Sequence, residues 1–155
     1  MVKAYFFDTS ALVKRYVNET GSRWVQTITA SATRNKIIVA RITWVEVLSA
    51  LARLQREGKL APVDMAAAIL TFRHDWDTQY QVVELDQALT LTAGQLVQRY
   101  TLRAYDSVQL ASALKLKPAF AKAPFASLTF VCADKRLLRV AQAEGLLTEN
   151  PSNHP

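Results

Sequence analysis

Short apolar runs alternate along this chain with longer stretches of helical periodicity. Ala4-Tyr5-Phe6-Phe7 is too short for a helix and lacks polar alternation, so it predicts a strand buried on both faces, as in a parallel sheet. Residues 9–16 predict a short helix that breaks around 17–21. Residues 22–33 predict another, with Trp24, Val25, Ile28 and Ala32 at near-helical spacing. Ile37-Ile38-Val39 marks a second strand. From Thr43 the pattern turns helical: Val45, Val47, Leu48, Leu51, Ala52 and Leu54 pack, Arg53, Arg56 and Lys59 face out, and Gly58 ends it. Pro62 and Asp64 open a helix to about residue 78, with Met65, Ile69, Leu70 and Phe72 inward. Val82-Val83 predicts a third strand, and Asp86 caps a helix over 87–100. A further helix covers about 104–115, a fourth strand 128–133, and a closing helix 135–144 stopped by Gly145. A short fifth strand is possible around 146–148.

Strands alternating with one or two helices predict an α/β fold, a central parallel β-sheet of four to five strands with helices on both faces. At 155 residues, one domain over 1–149 is expected, with 150–155 as a disordered tail. The segment 117–127, with two prolines, two lysines and two phenylalanines, has no assigned element; a partner-contacting loop and a plain insertion are both open.

Composition narrows the function classes. Half of the residues are hydrophobic and 21% are charged, an ordinary soluble balance. A single cysteine, Cys132, excludes an internal disulfide framework and suits a reducing cytoplasm. No apolar stretch is long enough for a bilayer, and the first strand starts too early for a signal peptide. A net charge of +6 favours an anionic partner, nucleic acid first, although many small basic domains bind none.

Among the 13 acids, position decides. Glu19, Glu57, Asp64, Asp75, Asp77, Glu144 and Glu149 fall on predicted surfaces or element ends. Four others lie in apolar surroundings. Asp8 follows Tyr5-Phe6-Phe7, and Asp134 ends the fourth strand region. Glu46 and Asp106 sit near the starts of helices. Taken singly, Asp8 and Asp134 read as N-caps, and Glu46 and Asp106 as acids favoured by a helix dipole. Jointly, a parallel topology brings all four to the carboxyl edge of the sheet. Carboxylates gathered there repel unless a cation lies between them, and all-oxygen ligands suit Mg²⁺ or Mn²⁺. His74 and His154 are the only histidines, too few for a zinc site. An acidic metal pocket in a basic protein suits phosphodiester cleavage.

The stretches Phe7-Asp8-Thr9-Ser10-Ala11-Leu12-Val13-Lys14, Trp44-Val45-Glu46-Val47, Leu102-Arg103-Ala104-Tyr105-Asp106-Ser107-Val108-Gln109-Leu110-Ala111 and Val131-Cys132-Ala133-Asp134-Lys135-Arg136-Leu137-Leu138 resemble the PIN-domain nucleases, in the family's order along nearly the whole chain. Within that family they resemble the VapC-like toxins of toxin–antitoxin pairs. The resemblance implies a PIN-like fold and a catalytic quartet of Asp8, Glu46, Asp106 and Asp134. Asp8 and Asp106 would be the foremost metal ligands, with Asp134 beside them. Ser10 would support the metal site, and Arg103 and Ser107 would line its rim; a helix-opening hydroxyl, a solvated arginine and a first-turn serine are the plainer readings. The family usually has threonine or serine where this chain has Cys132, and a thiol is a weaker donor. That bears on the placement of Asp134. Cys132 itself reads as packing, not as a nucleophile.

The resemblance also implies a metal-dependent endoribonuclease acting on RNA, a cognate antitoxin protein and a homodimer; the cytoplasmic location is expected from the single cysteine. Trp24, Val25 and Trp44 would offer a groove for an antitoxin helix, or are core, the reading favoured for Trp44. Two other functions remain in view. A phosphotransfer protein with Asp8 as nucleophile would need a second adjacent acid, which Phe7-Asp8-Thr9-Ser10 lacks. A catalytically silent PIN-like module binding RNA or protein would show itself by loss of a quartet acid, and none is lost.

Overall fold

The computed structural model describes residues 2–123 and 127–155. Five parallel strands form one sheet in the order β3-β2-β1-β4-β5: β1 Ala4–Phe7, β2 Lys36–Ala40, β3 Tyr80–Val83, β4 Leu128–Val131 and β5 Leu147–Glu149. The helices are α1 Thr9–Leu12, α2 Ser22–Thr29, α3 Thr43–Arg56, α4 Pro62–Thr78, α5 Gln87–Arg99, α6 Ala104–Ala121 and α7 Lys135–Ala143. The expected α/β architecture is observed, including the short fifth strand.

β1 is the centre because all four of its residues are buried. Successive side chains point to opposite faces, so one strand feeds two cores. Ala4 and Phe6 join Ile38, Phe130, Leu96 and Leu110 beneath α5, α6 and α7. Tyr5 and Phe7 join Ile37, Val39, Leu51 and Phe72 beneath α1 to α4. Phe7 is in register with Val39 and with Val131, so the strand ends leading to Asp8, to α3 and to Asp134 lie side by side. Among the described residues no helix is long and apolar enough to cross a membrane.

Four local expectations need correction. Residues 150–155 are not a loose tail: Pro151–Asn153 forms a 3-10 turn, capped by the Asn150 side chain on the Ser152 amide at 2.9 Å. Pro151 is buried against Gly21, whose φ of 88° and lack of a Cβ admit the Pro151 carbonyl; a Cβ there would lie 2.4 Å from it. The His154 ring then stacks on Trp24 with centroids 4.4 Å apart. Trp24 is thereby partly covered and Val25 is fully buried, so neither opens a groove, while Trp44 packs on Phe72 and keeps part of its indole at the surface. The helix begun at Ala104 runs past Pro118 to Ala121, taking in part of 117–127; residues 124–126 of that segment lie outside the described residues. Asp75, expected on a surface, is 5% exposed and bonded to Arg15 Nε and Tyr16 Oη, each at 2.7 Å.

Candidate active site

Asp8 leaves β1 with its amide still bonded to the Val131 carbonyl of β4 at 3.0 Å. Its backbone is extended, so its Oδ2 turns back over the start of α1 and accepts from the Ser10 amide at 3.2 Å and the Ser10 hydroxyl at 2.6 Å. Ser10 Oγ also accepts from the Ala133 amide at 3.0 Å. Ser10 therefore ties the end of β1 to the loop after β4, which fixes Asp8 relative to Asp134. The hydroxyl thus stands at the opening of α1 and also holds the Asp8 carboxylate.

Cys132 takes the place expected for a hydroxyl residue and still organises that loop. Its Sγ accepts from the Asp134 amide at 3.3 Å and lies 3.5 Å from Asp8 Oδ2. Burial, and then the nearby Asp8 charge, push the thiol pKa far up, so Cys132 is a neutral packing thiol. Asp134 caps α7, its Oδ1 accepting from the Arg136 and Leu137 amides at 2.8 and 3.3 Å. The cap reading of Asp134 and its place in the site hold together, because its second oxygen faces Arg103 at 3.5 Å.

Glu46 stands in the first turn of α3, half-buried, and its Oε1 accepts from Gln109 Nε2 at 2.7 Å and Thr9 Oγ1 at 3.1 Å. Gln109, on α6, is fully buried and also reaches Thr9 Oγ1 and Thr43 Oγ1 at 3.1 and 2.9 Å. Three elements are thus locked around one amide. Its own carbonyl oxygen is buried and meets no hydrogen-bond partner among the described residues. Asp106, in the first turn of α6, meets Arg103 Nε through Oδ2 at 3.2 Å.

These residues surround a cleft of about 500 Å³, which Asp8, Ser10, Glu46, Arg103, Asp106 and Asp134 all line. Ser107 does not. It is buried, and its hydroxyl donates to the Ala104 carbonyl at 2.6 Å, the first-turn serine of the plainer reading. Sequence reasoning assigned no site role to Gln109 and Thr9, which hold Glu46, to Thr43, which holds Gln109, or to Arg53, which lines the cleft. A glutamine inside the apolar run Val108-Gln109-Leu110-Ala111 was the available signal, since a buried amide must find partners.

The electrostatics are those of a site short of positive charge. Burial raises the pKa of Asp8, against the lowering by Ser10, and Asp106 raises it further. Burial likewise raises Glu46, against Gln109, with Asp8 adding to the rise. Among the described residues the hydrogen bonds to the Asp8 carboxylate fall on Oδ2 and those to the Glu46 carboxylate on Oε1, and both residues line the cleft. The donors are all hard oxygens, which suits Mg²⁺ or Mn²⁺. Among the described residues no three acids, histidines or thiols stand close enough to form a ready-made ion cage, and Arg103 bridges Asp106 and Asp134.

The sequence matches the PIN domain family over residues 5–143. Ribonuclease VapC49 of Mycobacterium tuberculosis is 33% identical over 112 residues, 70% of this chain and 74% of that protein. The fold is similar to VapBC2 from Rickettsia felis bound to a DNA fragment from its promoter, with a TM-score of 0.64 at 13% identity, covering 95% of this chain and 98% of that one. A toxin–antitoxin complex from Klebsiella pneumoniae gives 0.60 at 17% identity, covering 95% and 97%.

Proposed function

The chain belongs to the PIN domain family, and on that premise we propose that it is a divalent-metal-dependent endoribonuclease, the toxin of a toxin–antitoxin pair. The observation that carries this reading is the convergence of Asp8, Glu46, Asp106 and Asp134 on one cleft, where burial first and neighbouring acids second raise the carboxyl pKa values of Asp8 and Glu46.

Asp8, Asp106 and Asp134 would hold Mg²⁺ or Mn²⁺, with Ser10 and Cys132 fixing Asp8 from behind. A divalent ion there supplies Lewis-acid polarisation of the scissile phosphate. Glu46, held through Oε1 by Gln109 and Thr9, presents Oε2 to take the proton of the attacking water. In-line attack on phosphorus then leaves a 3′-hydroxyl and a 5′-phosphate. Arg103, whose side chain is 78% exposed, is free to swing from its two acids to a phosphate of the substrate. Arg53, exposed on the cleft wall, offers a second cation to the strand.

The proposed protein partners are an antitoxin and a second copy of the chain. Solved relatives of the same fold described as VapBC and toxin–antitoxin complexes support the first. A cytoplasmic location fits the lone, buried, unpaired Cys132.

The test is cleavage of a mixed RNA pool by purified protein with Mg²⁺, with Mn²⁺ and with EDTA, beside Asp8→Asn. Cutting that needs the metal and disappears in the variant is expected. Folded, inhibitor-free protein that leaves RNA intact in every lane would favour a silent binding module.

A further inference from the structure

Next to the acidic cleft lies a second hollow of about 460 Å³, lined by Arg41, Trp44, Val45, Arg73, Trp76 and Asp77. Val45, 57% exposed, belongs to both and forms the ridge between them. The floor of the hollow is aromatic and held from below. Trp44 stacks on fully buried Phe72 with centroids 5.2 Å apart, and Trp76 meets Trp44 and Phe72 edge-on at 5.3 and 5.7 Å. Both indoles keep part of their surface open to solvent.

Two guanidinium groups overhang this floor. Arg41 lies 5.6 Å from the Trp76 ring centroid and Arg73 lies 6.0 Å from that of Trp44. Their charges are not equally available. Arg41 is engaged by Glu84, with Nε to Oε2 at 2.9 Å. Arg73 is exposed and enters none of the ion pairs among the described residues. On the far side of Val45, Arg53 stands on the cleft wall in the same unpaired state. Two free cations therefore bracket the ridge, one in each basin.

We infer that the Trp44–Trp76 hollow is a nucleotide subsite: it stacks one base of a single-stranded RNA whose scissile phosphate lies in the neighbouring cleft. This rests on the ribonuclease reading. A single-stranded nucleotide carries a π face and an anionic phosphate, and rigid aromatics beside arginines match both. The volume lies within the range of about 300–1,000 Å³ usual for ligand pockets. An apolar protein helix is a poorer occupant, because Val45 is the only aliphatic side chain in the lining and two guanidiniums would be desolvated against it.

The experiment measures binding of Asp8→Asn protein to a fluorescent single-stranded oligoribonucleotide with one abasic site moved along it. One position is expected to lose affinity about tenfold when its base is removed. That penalty vanishes when Trp76→Leu is added. Arg73 is exposed, so Arg73→Ala leaves the fold intact; it is expected to weaken binding and to lower the salt slope by about one. In the otherwise wild-type enzyme, Arg73→Ala raises KM and leaves kcat unchanged. Equal penalties at every abasic position, or an unchanged affinity and salt slope in Arg73→Ala, overturn the subsite. The same holds if these variants weaken only the binding of a protein partner. RNA left uncut by wild-type protein with every metal overturns the ribonuclease reading instead, which keeps the two failures apart.

Discussion

Asp8 and Asp75 are equally buried, each 5% exposed, yet they sit in opposite surroundings. Asp75 is neutralised in place: Arg15 Nε and Tyr16 Oη both bond its Oδ2 at 2.7 Å, and Arg15 reaches on to Thr29 Oγ1 at 2.6 Å. Asp8 receives an amide, a hydroxyl and a thiol but enters no ion pair among the described residues, and Asp106 adds negative charge nearby. Burial of an acid is therefore not the mark of a site. A buried carboxylate whose charge is met belongs to the scaffold. One that is oriented by dipoles and left short of countercharge is arranged to receive something from outside the chain.

That contrast can be broken by substitution. Asp8→Asn is expected to lower RNA cleavage by at least about 100-fold while leaving the metal-free fold as stable as before or more so, since an uncompensated buried charge is removed. Cleavage rates beside thermal melts in EDTA check both halves. Asp75→Ala should do the reverse, costing about 3–5 kcal/mol of stability by stranding Arg15, with activity per folded molecule retained; urea titration reads the first and the folded-fraction-corrected rate the second. Gln109→Leu unfastens Glu46 and is expected to cost about 10–100-fold in rate. A Gln109→Leu enzyme as fast as the wild type would remove Glu46's orientation from the account.

A weaker effect concerns pH. The folded-state pKa values of Asp8 and Glu46 are raised, by burial first and by neighbouring acids after the opposing hydrogen bonds of Ser10 and Gln109. Folded protein thus holds protons that the unfolded chain has already released. The stability contributed by these groups is full below the ordinary carboxylate pKa near about 4 and is lost as pH rises through the raised values. In EDTA, the difference in melting temperature between wild type and Asp8→Asn should shift against the wild type as pH is raised; a difference constant across that range would contradict the sign. Smallest of all, Cys132→Ser should leave cleavage within about threefold, because the thiol only packs and orients. A large loss in that variant's rate assay would give the sulfur a chemical role.

Much of this was legible in the chain itself. The apolar run at Ala4–Phe7 and the strand–helix alternation led to the parallel sheet, and parallel register then brings Asp8, Asp134 and the helix carrying Glu46 to one edge. What escaped is what depends on long-range partners. Asp75 looks like any polar residue in a helix until Arg15, 60 positions earlier, is folded onto it. Gln109 gains its meaning from Thr43 and Glu46, 66 and 63 residues away. The ordering of residues 150–155 depends on the absence of a Cβ at Gly21, which no local pattern near the terminus reveals. Of the two readings open for Ser107, the geometry agrees with the local one: a first-turn serine can satisfy its own helix, and here it does.

The most direct measurement is Mn²⁺ binding to metal-free protein at neutral pH, by calorimetry, for wild type, Asp8→Asn and the folded fraction of Asp75→Ala. The account expects wild type and Asp75→Ala to bind alike and Asp8→Asn to lose the site. Equal binding by Asp8→Asn, or its loss in folded Asp75→Ala, would mean that the cleft carboxylates are not the metal-receiving group.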